Sequence, residues 1–181
     1  MTDQEKPSQP PIAPDEKIVP VMVYIQQGLC WGNIIVKEQI RASIWFRTSS
    51  APDVLSLYEA RLLTIPATIP SKPQLFSEIH IRTGIIQGFH LIPPAKDPLD
   101  YDPEEHNFRM EPVVVIVGEF RFEGKLRLSA KISLQKYLDL SREIFCPLYE
   151  VEISSAALPS IGVIRVPYCN VRLQEGLFSP K

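Results

Sequence analysis

Long hydrophobic runs are missing from this chain. No stretch of its 181 residues is apolar for the length that a membrane-spanning helix needs. Charge of a dominant sign is missing too. The 19 Lys and Arg stand against 21 Asp and Glu, so no basic field advertises nucleic acid or an acidic lipid surface. The opening MTDQEKPSQPPIAPDEK has no apolar core of the signal-peptide kind, which makes the cytoplasm the expected location. Cysteine is scarce. An odd set of three, Cys30, Cys146 and Cys169, reads as buried free thiols of a reducing compartment and not as a disulfide frame. No Cys-x-x-Cys or His-x-x-x-His pair provides metal-ligand spacing, and no histidine follows His106. A nucleophilic Ser or Cys needs a nearby His and an orienting acid, and no such grouping is legible. Gly-rich phosphate loops of the Walker or Rossmann kind are absent as well. These absences set the expectation of a non-enzymatic protein with no metal and no cofactor.

What the chain does have is a repeated stretch. Pro20–Gly32 reads PVMVYIQQGLCWG, and Pro112–Gly124 reads PVVVIVGEFRFEG. At a fixed offset of 92 residues, Pro20 meets Pro112, Val21 meets Val113, Val23 meets Val115 and Gly32 meets Gly124. The match continues through Ile34/Leu126, Val36/Leu128 and Ile40/Ile132. After one lost residue, Leu57-Tyr58-Glu59-Ala60 meets Leu148-Tyr149-Glu150-Val151. After a longer loop, Ile81-Arg82 meets Ile164-Arg165. A period this long is domain-sized and not that of a solenoid. It divides the chain into a tail over residues 1–17, a first β-repeat over 18–92, a linker over 93–111 and a second β-repeat over 112–178. Units of roughly 75 residues bury little alone, so the copies are expected to share a core or to pack together.

Taken in order, the tail is rich in proline and charge and is expected to be disordered or extended, with Pro7–Pro14 as a candidate polyproline segment. Val21–Ile25 and Cys30–Val36 read as two strands around a turn at Gln26–Gly28. Gly32 and Gly124 fall inside second strands, where glycine marks a bulge or sharp bend. Phe120, Phe122, Leu126 and Leu128 alternate with Glu119, Arg121, Glu123, Lys125 and Arg127, the pattern of a half-buried strand. Short helices are expected over 38–47 and 133–143, the second capped by Ser133. Strands follow over 54–65 and 144–153. Residues 79–91 and 161–173 read as strand pairs bent at Gly84 and Pro167; a site that takes either residue implies an ordinary negative φ. The linker, with four prolines and the acids Asp97, Asp100, Asp102, Glu104 and Glu105, reads as a solvated joint without the glycine and spacing of a calcium loop.

The order of each copy resembles the Sm-like family of small, strongly bent β-barrels. Gly32 and Gly124 match the glycine of that family's second strand. Ile81-Arg82-Thr83-Gly84-Ile85-Ile86 approximates its Ile-Arg-Gly junction, and Ile164-Arg165-Val166-Pro167 departs from it. The resemblance implies a mainly β fold: a tandem duplication of a small bent sheet or barrel, each copy carrying one short helix. The Asp-x-x-x-Asn base site of the family has no counterpart here, so the resemblance does not carry an RNA site with it.

Four residues stand out as contacts for a partner. Arg82 and Arg165 sit beside turns, where paired guanidiniums grip phosphate or carboxylate, or bond the neighbouring Glu59 and Glu150. His80 shares strand parity with Arg82. Trp31 occupies a position that is charged Glu123 in the other copy, which makes it a candidate anchor for a partner. The expected function is a protein-interaction or assembly module, a scaffold or adaptor, with a protein partner or self-association. The alternatives are an Sm-like nucleic-acid-associated protein and a small-ligand-binding barrel.

Overall fold

The computed structural model describes residues 12–48, 51–65 and 72–181. The expected tail, with most of Pro7–Pro14, lies largely outside them. Ten strands and two short helices follow in this order: β1 (Glu16–Ile25), β2 (Gly28–Lys37), α1 (Ala42–Trp45), β3 (Val54–Thr64), β4 (Gln74–Arg82), β5 (Ile86–Leu91), β6 (Phe108–Val117), β7 (Phe120–Ser129), α2 (Leu134–Leu140), β8 (Phe145–Ser154), β9 (Ile164–Arg172) and β10 (Leu177–Pro180). No helix among the described residues is long and apolar enough to cross a membrane.

All ten strands belong to one open antiparallel sheet, ordered β10-β6-β7-β8-β9-β5-β1-β2-β3-β4. The first five strands lie as β4-β3-β2-β1-β5 and the last five as β9-β8-β7-β6-β10, so both halves place their strands in the same order. The halves meet where β5 pairs with β9, Gly88 opposite Val171 and Phe89 opposite Asn170.

Bringing a fifth strand back beside the first requires a sharp bend, and each half makes it with the same device. In β2–β3, Trp31 faces Arg61 and Asn33 faces Tyr58, so Glu59 and Ala60 both lie opposite Gly32. In β7–β8, Glu123 faces Glu152 and Lys125 faces Tyr149, so Glu150 and Val151 lie opposite Gly124. Such an extra residue bends and twists the strand that carries it. Glu59 (φ 50°) and Glu150 (φ 51°) are the non-glycine residues of positive φ among the described residues. Strain of this kind costs about 1–3 kcal/mol. Asn33 donates to the Glu59 carboxylate at 3.0 Å and Lys125 to the Glu150 carboxylate at 2.6 Å, from matching positions. The glycines are required by contact: a Cβ on Gly32 would stand 2.7 Å from the Tyr58 carbonyl oxygen, and one on Gly124 would stand 3.0 Å from that of Tyr149.

Register corrects the alignment of the third block. Leu57 faces Ile79 and Leu148 faces Cys169. Val54 faces Arg82 and Phe145 faces Arg172. Arg82 therefore corresponds to Arg172, and Arg165 corresponds to Leu75. Likewise Val21 faces Leu91 and Val113 faces Pro180, so β5 corresponds to β10. Pro167 is also not a corner. β9 runs straight through it, and it lies opposite Glu150, where the ladder has its gap, so a missing backbone donor costs nothing there. The linker ends earlier than expected, since residues 108–111 already belong to β6.

Two clusters make the core, and each half contributes to both. Val19, Val21, Val23, Ile34, Leu55, Leu57 and Phe89 surround Phe145 from β8. Val113, Val115, Phe120, Phe122, Leu126 and Leu148 surround Tyr24, Leu29 and Leu63 from the first half. Tyr24 meets Phe120 and Phe122 edge-on, at 4.9 and 5.3 Å between centroids. Both helices are shorter than expected. α1 has no side-chain cap at Arg41, whereas Ser133 accepts from the Lys136 N–H at the start of α2, as the sequence indicates.

Candidate functional site

The two outer strands of the sheet are unlike. β4 is nine residues long, pairs only with β3 among the described residues, and is exposed along most of its length. Leu75 is 74% exposed and Phe76 38% exposed. They border an open groove of about 590 Å³ that Trp31, Asn33, Glu59 and Arg61 also line. β10 is four residues long. Its Leu177 is 71% exposed and pairs with Ile116, 39% exposed. Strand edges present unpaired N–H and C=O groups, and those of ordinary proteins are kept short, charged or covered.

Three of the four residues singled out in the sequence lie on or beside the β4 edge. Trp31 is half-buried, between Met22 on β1 and Arg61 on β3, and forms one wall of the groove. His80 is exposed on β4; its Nδ1 lies 2.9 Å from Ser56 Oγ and 3.7 Å from the Glu78 carboxylate. Arg82 closes β4, exposed, with no ion pair among the described residues. Arg165 is elsewhere, on β9, where its Nε donates to Glu152 at 2.8 Å. Glu59 and Glu150 bond other residues, so neither arginine finds the partner that the sequence suggested.

The sequence reading missed Arg172. It is buried at the junction between the halves, where its Nε donates to the Ile86 carbonyl and its Nη2 to the Thr83 carbonyl, each at 2.6 Å. Its guanidinium lies 5.1 Å from the centre of the Phe145 ring. Charge-assisted bonds to two carbonyls clamp the turn between β4 and β5 onto β9. The signal that would have found it is spacing counted along the ladder, since Val171-Arg172 and not Ile164-Arg165 is the register match of Ile81-Arg82.

A second polar cluster fastens the linker. Arg47 donates to Asp100 at 2.7 Å, to the Tyr168 hydroxyl at 3.1 Å and to Glu143 at 3.1 Å. Tyr149 donates to Asp100 at 2.6 Å, and Asp97 accepts from the Ser43 N–H at 2.8 Å. A cavity of about 250 Å³ lies beside this cluster, but the carboxylates that face it are already bonded. The cluster is a strut whose groups bond one another, although the buried Nε of Arg47 has no hydrogen-bond partner among the described residues.

The three cysteines are free and buried. Burial pushes the Cys30 thiol up to about 11 and the Cys146 thiol up to about 12, and raises that of Cys169 well above its ordinary value. No group of three or more His, Cys, Asp or Glu among the described residues could hold a metal ion. The chain thus presents a mainly β molecule, one open sheet with two unlike edges. No family model, no curated protein and no solved structure matches it.

Proposed function

We propose that this chain is a non-enzymatic interaction or assembly module that engages a protein partner by strand addition at the β4 edge. One observation carries this reading: a long exposed edge strand, apolar at Leu75 and Phe76, runs beside a groove walled by Trp31. An added strand gains backbone hydrogen bonds from the edge and specificity from side-chain pockets beside it. A half-buried tryptophan is well suited to anchor such a contact.

The layout supports a duplicated unit of Sm-like form. Each half has a glycine in its second strand, a bulge opposite it, a short helix between second and third strands, and a fifth strand returned to the first. Duplication accounts for these shared details better than two independent solutions of the same bend. The test is affinity capture with cross-linking, using the full chain as bait. Complexes formed by the wild type are expected to be lost in Leu75→Lys/Phe76→Lys with the melting temperature held. The same complexes surviving in the variant, or no complex at all, self-association included, would overturn the reading.

A further inference from the structure

We propose, resting on that reading of the β4 edge, that the groove beside it selects a partner strand of one chemistry. The side chains that strand turns to the groove are apolar, acidic and apolar at alternate positions, with the carboxylate bound by Arg61. The second half of the molecule is an internal control. It carries the same surface on the register counterparts of the groove residues, and there the surface is closed by ion pairs. Lys181 meets Glu123 at 2.9 Å, Arg165 meets Glu152 at 2.8 Å and Lys125 meets Glu150 at 2.6 Å.

The first half keeps the backbone and changes the chemistry of each pair. Trp31 answers to Glu123 and Ile92 to Lys181. The Ile92 N–H donates to the Pro20 carbonyl at 2.9 Å, as the Lys181 N–H donates to that of Pro112 at 3.0 Å, so the match is one of hydrogen bonding as well as register. An ion pair has become two apolar walls of the groove. Asn33 answers to Lys125 and still donates to Glu59. Arg61 answers to Glu152, and Leu75, directly opposite it, answers to Arg165. The last exchange leaves a charge behind. Arg61 is exposed, and no ion pair or hydrogen bond engages its guanidinium among the described residues.

Trp31, Arg61 and Leu75 lie opposite one another across β2, β3 and β4, so they share one face of the sheet. A strand added to β4 continues that row. It would lie about 10 Å from β3, a span that an arginine and a glutamate side chain bridge between them over Leu75. Residues two positions to either side project to the same face, where Leu75, Trp31 and Ile92 offer apolar surface. Glu59, also in the groove, repels a carboxylate and so confines the acid to Arg61.

Fluorescence anisotropy of the full chain with two labelled, end-blocked heptapeptides tests this. Both have threonine at the odd positions and leucine at the second and sixth; the centre is glutamate in one and lysine in the other. The wild type is expected to bind the glutamate peptide about tenfold more tightly than the lysine peptide. Arg61→Lys should keep that preference and Arg61→Glu reverse it. The side chain is exposed, so circular dichroism melts of both variants should match the wild type. Equal binding of the two peptides, binding of neither, or a preference that survives Arg61→Glu would overturn the inference. If any of these is found while Leu75→Lys/Phe76→Lys still abolishes capture of a partner, the edge-binding reading stands and only the acidic strand is lost. Two results would name a different occupant and overturn it as well. Dimerisation of the wild type that Arg61→Glu abolishes would seat a second copy in the groove. Peptide binding seen only after deletion of residues 1–11 would seat the chain's own first residues there.

Discussion

His90 lies 2% exposed on β5, with Nδ1 2.9 Å from the Leu91 carbonyl oxygen and Nε2 3.0 Å from the Tyr24 hydroxyl. A carbonyl only accepts, so Nδ1 carries the proton and Nε2 accepts from Tyr24. The imidazole is thereby held neutral, and burial lowers its pKa to about 4. The unfolded chain, near 6.5, takes up a proton that the folded chain refuses. The contribution is complete above the unfolded value and is lost as pH falls from about 6.5 towards 4, to a limit of about 3 kcal/mol. Urea unfolding at about pH 7 and about pH 4.5 should show the midpoint dropping in the wild type, with a smaller drop in His90→Gln. In the sequence His90 is one more residue of the stretch 79–91 that reads as a bent strand pair. Its partner is on β1, 66 residues away, and nothing local announces that pairing.

The bulged hairpins tie conformation to single atoms. Gly32→Ala drives a Cβ to 2.7 Å from a backbone oxygen and is expected to cost about 1–3 kcal/mol. Gly124→Ala, at 3.0 Å, should cost less. A methyl group on Gly84 would meet no atom within 4 Å, and φ there is not positive, so Gly84→Ala should be neutral or stabilise by up to about 1 kcal/mol. Chemical denaturation of the three variants checks the ranking. Both bulge glycines were legible in the sequence, because a glycine inside an alternating run has few other uses. Residues 74–78 of β4 were not, since an edge strand exposed on both faces leaves no alternation to read. The Arg82–Arg172 correspondence was missed for a related reason. A repeated dipeptide, Ile-Arg, attracts the eye, while register counts residues along a ladder whose loops differ in length.

At the scale of the molecule, the halves are joined twice, by the β5–β9 ladder and by aromatic side chains that cross into the other half's interior. Tyr24 sits among Phe120 and Phe122, and Phe145 packs on Phe89 at 5.5 Å. Periodicity revealed which residues are inward but not whose interior they fill. The linker was equally opaque: its acids read as solvated, yet Asp97 and Asp100 are spent on Ser43, Arg47 and Tyr149. The three buried thiols make this interdependence measurable. Cys30 lies in one interior and Cys146 and Cys169 in the other. A thiol-reactive dye at neutral pH reaches each sulfur only when its surroundings open. If the aromatic crossings bind the halves into one cooperative unit, all three sulfurs will be alkylated on a single clock; separate clocks for Cys30 and for the other pair would show two bodies breathing independently.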